Sequence, residues 1–214
     1  MSAAAAPLRG LYAITDSLLT PPDTLLAQVT AAVRGGAVLI QYRDKQASAS
    51  QRRARAGKLA ELCRQLQVPL VINDDLELAT RLGTGVHLGH EDGDVASARR
   101  QLAPAALLGV SCYNELERAR AAVSAGASYV AFGRFFPSRS KPQASAANTS
   151  LLQAARTTLP VPVVAIGGVT PDNGAELVAA GADLLAAIEG VFGSADAGLA
   201  ARRYARLFDV TPAG

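Results

Sequence analysis

The chain has 214 residues, of which 50% are hydrophobic, 5% are aromatic and 18% are charged, and its formal net charge is +3. This length and apolar content suit one compact domain, and no apolar run is long enough to span a membrane. The basic residues are scattered among acidic ones and form no basic stripe with interleaved aromatics, which argues against nucleic-acid binding.

The two cysteines, Cys63 and Cys112, are not spaced as a CxxC motif, and the N-terminal apolar run is too short and too interrupted for a secretory segment. Reduced thiols without a targeting segment are typical of a cytoplasmic protein, so we expect that localisation. We expect residues 1–214 to form a single domain, with residues 1–8 as a flexible N-terminal tail.

Eight short apolar segments alternate with helical patterns along the chain. Each is continuously apolar, as in strands that are buried on both faces of a parallel sheet. The predicted strands are residues 11–15, 38–42, 70–72, 86–88, 107–110, 129–132, 163–166 and 184–188.

Glycines end several of the helical patterns. The first helix is predicted to begin after Pro21-Pro22-Asp23 and to end at Gly35, and Gly126 and Gly181 likewise stand just before strands. A glycine that ends a helix directly before a strand is typical of successive βα units. Eight such units predict a single-domain (β/α)8 TIM barrel. An open doubly wound sheet is the alternative, but no GxGxxG motif follows the first strand.

In a TIM barrel, the residues that follow the strands form one rim, where active sites lie. Cations, carboxylates, hydroxyls and a glycine pair follow predicted strands two to eight: Gln41, Arg43, Lys45, Asn73, Asp74, Asp75, Glu91, Asp92, Ser111, Ser138, Ser140, Lys141, Gly167, Gly168 and Glu189. Carboxylates hold Mg²⁺, cations neutralise phosphate, and glycines let backbone N–H groups approach a phosphate. The set therefore suits a phosphorylated substrate with Mg²⁺. Residues 137–150 are predicted to be a mobile loop beside it.

Simpler interpretations exist for individual members of this set. Asn73-Asp74-Asp75 has the composition of a helix cap, and Gly167-Gly168 that of a tight turn. His87 is expected to pack or to hydrogen-bond inside the barrel rather than to bind a metal. Cys112 adjoins Ser111, but no base partner is evident for a nucleophilic thiol.

Most of these residues fall, in order, within motifs that resemble those of the thiamine phosphate synthase family. The motifs are Gln41-Tyr42-Arg43-Asp44-Lys45, Ile72-Asn73-Asp74, His87-Leu88-Gly89-His90-Glu91-Asp92, Gly109-Val110-Ser111, Tyr129-Val130-Ala131-Phe132-Gly133 with Phe136-Pro137-Ser138-Arg139-Ser140-Lys141, and Ala165-Ile166-Gly167-Gly168-Val169. The opening strand, Leu11-Tyr12-Ala13-Ile14-Thr15-Asp16, is similar as well. The resemblance extends over about residues 8–208.

The resemblance implies a Mg²⁺-dependent transferase. Its reaction joins 4-amino-5-hydroxymethyl-2-methylpyrimidine pyrophosphate to 4-methyl-5-(2-phosphoethyl)thiazole, or to the carboxylated thiazole, and releases pyrophosphate. The implied catalytic residues are Arg43, Lys45, Ser111 and Lys141, and the implied Mg²⁺ ligands are Asp74 and Asp92. Substrate contacts are implied for Gln41, Tyr42, Arg43, Asp44, Lys45, Asn73, Ser111, Ser138, Arg139, Ser140, Lys141, Gly167, Gly168, Ile188 and Glu189. The implied partners are small molecules, without nucleic acid or membrane. The sequence does not decide whether the chain forms a homo-oligomer.

Three other functions remain as alternatives. A thiazole tautomerase has the same fold but needs an acid/base histidine near strand five, where this chain has Cys112-Tyr113-Asn114. An epimerase-like phosphate-binding barrel would need paired acid/base residues. A non-catalytic barrel that binds thiamine precursors would keep the glycine pair but lose Lys141 or Asp92. Glu189 departs from the family, in which serine is common there, so we expect its carboxylate to turn away from the phosphate or to pair with Arg139.

Overall fold

The computed structural model describes residues 8–89, 91–137 and 147–209. Four predicted site residues, Ser138, Arg139, Ser140 and Lys141, lie outside these ranges. Most of the predicted loop and nearly all of the predicted N-terminal tail also lie outside them.

Eight parallel strands form a closed barrel in chain order, because β1 pairs with both β2 and β8. The strands are β1 (Gly10–Ile14), β2 (Ala37–Tyr42), β3 (Leu70–Asn73), β4 (Gly85–Leu88), β5 (Leu108–Tyr113), β6 (Tyr129–Phe132), β7 (Val163–Ile166) and β8 (Leu184–Ala187). The helices are α1 (Leu25–Arg34), α2 (Ala49–Gln65), α3 (Leu76–Leu82), α4 (Val95–Gln101), α5 (Leu116–Ser124), α6 (Thr149–Thr158), α7 (Gly174–Ala179), α8 (Glu189–Phe192) and α9 (Ala197–Ala205), followed by a 3₁₀ turn (Arg206–Phe208). The predicted (β/α)8 barrel is confirmed, and the open doubly wound sheet is excluded.

Some boundaries differ from the sequence prediction. β5 runs beyond residue 110 because it continues to pair with β6 across an irregularity, where Ser111 pairs with Ala131 and Tyr113 with Phe132. β8 ends one residue earlier than predicted, because Ile188 already caps the short helix α8. Ser111 therefore lies within a strand rather than after one.

The alternation of side chains along each strand divides the core into two layers. In β1, Leu11 and Ala13 belong to the large cluster between the strands and the helices, whereas Tyr12 and Ile14 face the barrel interior. Successive strand residues point to opposite faces. Because both faces are buried, the strands contain continuous apolar runs, which is the pattern that made them recognisable in the sequence.

Small residues let the last helix pack closely on the first. Gly35 ends α1, and α9 packs against α1 and β1. A Cβ atom on Gly35 would overlap the carbonyl oxygen of Gly198 and would lie 2.7 Å from the Cβ atom of Ala201. The close approach of α9 therefore depends on the absence of a side chain at residue 35.

We predict that Gly35→Ala destabilises the protein by about 1–3 kcal/mol, because the added methyl group meets backbone that moves only if the helix moves. Gly57→Ala is the matched control: residue 57 lies within α2, and an added Cβ atom there meets nothing within 4 Å. That substitution is expected to stabilise the protein by up to about 1 kcal/mol through helix propensity. Urea unfolding of both variants checks this, and equal free energies of unfolding would contradict it.

Candidate active site

A cavity of about 800 Å³ opens at the carboxyl ends of the strands. All eight strands or the loops that follow them contribute residues to its wall. The predicted site residues that line it are Gln41, Arg43, Lys45, Asn73, Asp74, Asp92, Ser111, Gly167, Gly168, Ile188 and Glu189. One cavity thus brings together most of the groups that the sequence indicated.

Tyr42 and Asp44 do not line the cavity. Asp44 is buried, with 8% of the residue exposed. Its carboxylate accepts hydrogen bonds from Arg55 at 2.7 Å, from the Ala47 N–H at 3.0 Å and from the Tyr42 hydroxyl at 3.2 Å. Burial by itself raises the pKa of Asp44, but these donors and the Gln46 N–H together hold it below its usual value. This carboxylate fixes the loop between β2 and α2, from which Arg43 and Lys45 project.

Both cations of this loop lie close to carboxylates. Nη1 of Arg43 lies 3.1 Å from Oδ2 of Asp16, and Nζ of Lys45 lies 3.8 Å from Oδ2 of Asp74. The Arg43 N–H donates to Oγ1 of Thr15 at 2.9 Å, and that hydroxyl donates to the Arg43 carbonyl at 3.3 Å. The cavity end of β1 therefore positions the arginine through its backbone and its side chain.

Asp74 and Asp92 converge at the cavity from the loops that follow β3 and β4. Burial, a hydrogen bond with Asp92 and the charge of Asp92 together raise the pKa of Asp74 to about 6. Oδ2 of Asp92 accepts the Gly89 N–H at 2.6 Å, and a Cβ atom on Gly89 would lie only 2.7 Å from that oxygen. Two carboxylates thus share a partly buried position that an added positive charge would stabilise.

Asp75, the third residue of this acidic run, has a different role. Its carboxylate caps α3 by accepting the Leu78 N–H at 3.0 Å, and it lies 3.7 Å from Nε of Arg52. The cap interpretation is therefore right for Asp75, whereas Asp74 faces the cavity. In the described part of the chain, no group of three or more His, Cys, Asp or Glu side chains is arranged around a common metal position.

The glycine pair after β7 has both conformational and steric reasons to be glycine. Gly167 and Gly168 have φ values of 100° and 64°, which side chains rarely allow. A Cβ atom on Gly168 would lie 2.8 Å from Cβ of Phe136, and one on Gly167 would overlap Arg134. The loop after β6 is therefore packed onto this turn, where the Phe136 N–H donates to the Gly167 carbonyl at 3.0 Å.

A chain of buried hydrogen bonds crosses the barrel below the cavity mouth. Gln41 donates to the Tyr12 hydroxyl, which lies 2.8 Å from the Tyr129 hydroxyl. Nδ1 of His87 lies 3.1 Å from the Tyr129 hydroxyl, and Nε2 of His87 lies 2.9 Å from Oγ of Ser111. We call these five residues the polar chain. His87 hydrogen-bonds inside the barrel, as the sequence analysis expected.

Several residues in or beside the cavity were not singled out from the sequence. Tyr12 and Arg134 line the cavity, Tyr129 belongs to the polar chain with Tyr12, and Asp16 pairs with Arg43. Side-chain alternation in β1 and β6 is the signal that indicates inward-facing tyrosines. The partner of Asp16 is Arg43, 27 residues further along the chain, so no local pattern reveals this pair.

Comparison with known proteins agrees with this geometry. The thiamine monophosphate synthase family model matches residues 11–191. The chain belongs to this family. Among curated relatives, the thiamine-phosphate synthase of Nitrosococcus oceani is 50% identical over 94% of this chain and 93% of its own length. That of Aromatoleum aromaticum is 52% identical over 94% of this chain and 97% of its own.

The solved structures include another similar member of the family. The thiamine phosphate pyrophosphorylase of Pyrococcus furiosus superposes with a TM-score of 0.83 at 31% identity, over 94% of this chain and 95% of its own. The match covers the whole barrel, so the family resemblance extends from sequence motifs to the fold.

Of the helices that the structure describes, none is long and apolar enough to cross a membrane.

The raised pKa of Asp74 predicts a pH-dependent stability in metal-free buffer. Its folded-state value of about 6 exceeds the ordinary 3.8, so the folded protein binds more protons and loses stability as pH rises from about 4 to above 6. Asp74→Asn removes this loss. At pH 7.5 with EDTA, we expect the variant to be more stable than the parent by on the order of 1 kcal/mol, allowing for partial solvent screening.

Chemical denaturation from pH 4.5 to 7.5 checks this prediction. Asp75→Asn is the matched control, because asparagine keeps the α3 cap and changes the same charge one residue away. Parallel pH dependences for the parent and Asp74→Asn would show that the two carboxylates do not repel each other as described.

Proposed function

We propose that this chain couples 4-amino-5-hydroxymethyl-2-methylpyrimidine pyrophosphate to 4-methyl-5-(2-phosphoethyl)thiazole, or its carboxylated form, and so makes thiamine phosphate and pyrophosphate. The chain belongs to a family of transferases, and its relatives with 50% and 52% sequence identity over 94% of the chain are thiamine-phosphate synthases. The structural observation that supports this most is the convergence of Arg43, Lys45, Asp74 and Asp92 on one cavity. That set suits a pyrophosphate accompanied by a divalent cation.

Arg43 and Lys45 would bind the pyrophosphate of the first substrate. Each is already held at the cavity by a carboxylate, Asp16 for the arginine and Asp74 for the lysine. A pyrophosphate brings more negative charge than either carboxylate, so the cations would reorient toward it over a short distance. The family resemblance adds Lys141 as a third cation for the leaving group.

Asp74 and Asp92 are the residues that would hold Mg²⁺. The donor set fits the ion, because both ligands are carboxylates, and burial together with the neighbouring Asp92 already raises the pKa of Asp74. Two protein carboxylates suffice, since Mg²⁺ usually takes its other ligands from substrate phosphates and water. When bound, the ion would supply positive charge for the departing pyrophosphate.

The pyrimidine ring would lie deeper in the cavity, where Gln41, Asn73 and Ser111 line the wall. Gln41 and Ser111 are the two ends of the polar chain, so both are held by interior hydrogen bonds. Tyr42 and Asp44, which the family motif contains, would act by shaping the loop that carries the cations rather than by contacting the ring.

The thiazole phosphate would bind at the opposite side of the rim. The turn at Gly167 and Gly168 offers backbone N–H groups without side chains in the way, and the backbone at Ile188 and Glu189 begins α8 nearby in the cavity wall. The family resemblance adds Ser138, Arg139 and Ser140 to this phosphate site. A phosphate anchored here would aim the thiazole nitrogen at the pyrimidine.

The proposed reaction needs no protein nucleophile. The C–O bond to pyrophosphate breaks, its electron pair leaves with the pyrophosphate, and the aminopyrimidine delocalises the positive charge left on the methylene carbon. The thiazole nitrogen then forms the new C–N bond to that carbon. The protein contributes by aligning the two rings and by placing cations beside the leaving group.

The tautomerase alternative is not favoured. It requires an acid/base histidine near the end of β5, and this chain has Cys112, Tyr113 and Asn114 there. Cys112 is fully buried, and burial raises the pKa of its thiol to about 12. A protonated thiol with that pKa is a poor base at neutral pH.

We propose that the protein acts in the cytoplasm on small-molecule substrates, without nucleic acid or membrane as partners. Self-association into a homo-oligomer is compatible with this function. Both cysteines are buried and form no disulfide, which suits a reducing compartment.

The proposed function is tested by an assay with both substrates and Mg²⁺ that follows thiamine phosphate and pyrophosphate together. We expect equal amounts of the two products, none without either substrate, and loss of turnover in EDTA with recovery on added Mg²⁺. Binding of both substrates without product would instead identify a non-catalytic barrel.

We predict that Asp74→Asn and Asp92→Asn each lower kcat/KM by at least about 10²-fold, because each removes half of the charge that would hold the cation. Asparagine at residue 92 retains an oxygen to accept the Gly89 N–H, so the loop stays in place. Asp94→Asn, which keeps the α4 cap to Ser97, is the control and should retain activity. Full activity of both cavity variants would refute the Mg²⁺ site.

Glu189 provides a separate test of the thiazole-phosphate site. Glu189 is exposed and is the first residue of α8. We predict that Glu189→Ser leaves the KM for thiazole phosphate within a few-fold of the parent, because an exposed side chain can turn its carboxylate away from the phosphate. A carboxylate within about 4 Å of the phosphate would instead cost on the order of 1–4 kcal/mol. Glu117→Ser on α5 is the charge-matched control. A tenfold or larger improvement in KM, about 1.4 kcal/mol, would mean that the carboxylate does repel the phosphate.

A further inference from the structure

The polar chain crosses the barrel interior without a break from Gln41 to Ser111. It passes through β2, β1, β6, β4 and β5, and four of its members are at most 8% exposed. Apolar interior side chains, including Leu39, Val71 and Val164, surround it. Buried polar groups in such surroundings strongly favour complete hydrogen bonding, so the chain has few alternative arrangements.

Packing restrains the three rings of this chain. The Tyr12 and Tyr129 rings meet edge to face with centroids 5.8 Å apart, and the His87 ring stacks on Tyr129 at 5.7 Å. A Cβ atom on Gly109 would overlap the Tyr129 ring, so β5 leaves room for that ring only because residue 109 has no side chain. These contacts restrain the rings, and the positions of the hydroxyl and imidazole protons then follow from the hydrogen-bond partners.

The direction of the protons follows from the Gln41 end. Burial raises the pKa of both Tyr12 and Tyr129, so each hydroxyl keeps one proton to donate. The Gln41 amide nitrogen donates to Tyr12, whose own proton is then directed to the Tyr129 hydroxyl. The Tyr129 proton is in turn directed to Nδ1 of His87.

The same accounting fixes the other end of the chain. A neutral His87 that accepts at Nδ1 carries its proton on Nε2, from which it donates to Oγ of Ser111 at 2.9 Å. The Ser111 hydroxyl, which already accepts from the imidazole, keeps its own proton for a group in the cavity that it lines.

We propose that His87, held by Tyr129 and Tyr12, is a positioning residue that fixes the Ser111 hydroxyl as a hydrogen-bond donor toward the ligand. This inference rests on the proposed function, because it takes the pyrimidine ring as the group that meets Ser111. A fixed donor selects an acceptor, and the ring nitrogens of an aminopyrimidine are acceptors. The polar chain therefore favours a ring nitrogen at Ser111 over a ligand that presents N–H or C–H there.

The experiment compares the aminopyrimidine pyrophosphate with its two pyridine analogues, in each of which one ring nitrogen is replaced by C–H. In the wild-type chain, one analogue should have a KM at least about tenfold higher, because it lacks the acceptor for Ser111. Tyr129→Phe keeps the ring but frees the serine from its fixed direction. In this variant, the KM for the aminopyrimidine should rise about tenfold and the penalty on that analogue should fall below about threefold.

Three further variants separate a positioning role from a general structural one. Tyr12→Phe breaks the polar chain one link earlier and should have a smaller effect in the same direction. His87→Gln keeps an amide N–H donor toward Ser111 and should restore part of the discrimination that His87→Phe loses. Tyr204→Phe, which removes a different buried hydroxyl that donates to the Val169 carbonyl at 2.7 Å, is the control and should leave the pyrimidine KM unchanged.

The inference predicts that these changes affect the pyrimidine substrate alone, with the KM for thiazole phosphate within about twofold of the parent. Unchanged discrimination between the analogues in both Tyr129→Phe and His87→Phe would overturn it, as would equal effects on both substrates or an equal effect of Tyr204→Phe. Failure of the proposed function is a separate result, seen as no product from the wild-type chain. Failure of this inference leaves wild-type turnover intact.

Discussion

Parallel pairing of β1 with both β2 and β8 closes the barrel, and the geometry of the site depends on that closure. In an open sheet the ends of β2 and β8 would lie far apart, whereas in the closed barrel both contribute to one cavity wall. Closure also creates an interior that only inward-facing side chains can fill. The layer of apolar residues there supports the polar chain above it, so the same constraint produces both the core and the floor of the site.

The charges of the site are arranged so that no cation of the β2 loop depends on ligand to hold its place. Arg43 is held by Asp16 and Lys45 by Asp74, while the buried Asp44 holds the loop itself through Arg55. The pairs of Arg43 with Asp16 and of Lys45 with Asp74 are partly exposed and individually weak. A weak pair positions a side chain yet yields to a stronger anion, which is what repeated binding and release of a pyrophosphate requires.

The sequence predicted all eight strands and every charged residue of the cavity wall except Arg134, because buried parallel strands and the residues that follow them are both local patterns. The motif around Tyr42 and Asp44 shows where such reasoning stops. Adjacent residues at a strand end face different directions, and the partner that orients Asp44 is Arg55, eleven residues further along on α2. The hydrogen bonds of Tyr12, Tyr129 and His87 were equally beyond local patterns, because they join strands that are distant in sequence. The roles of Ser138, Arg139, Ser140 and Lys141 stay predictions from the family motif.

The use of aromatic residues links the composition of the chain to its site. With only five tyrosines, five phenylalanines and no tryptophan, the helices pack on the strands largely through alanine, valine, leucine and glycine. Tyr12 and Tyr129 are nevertheless inside the barrel. Residue 109 is a glycine, and a side chain there would overlap the Tyr129 ring. A hydrophobic residue of similar size would fill that space as well, so packing alone does not require a hydroxyl there. The two hydroxyls are explained by what they connect, since they join an amide on β2 to a serine on β5 among apolar interior side chains.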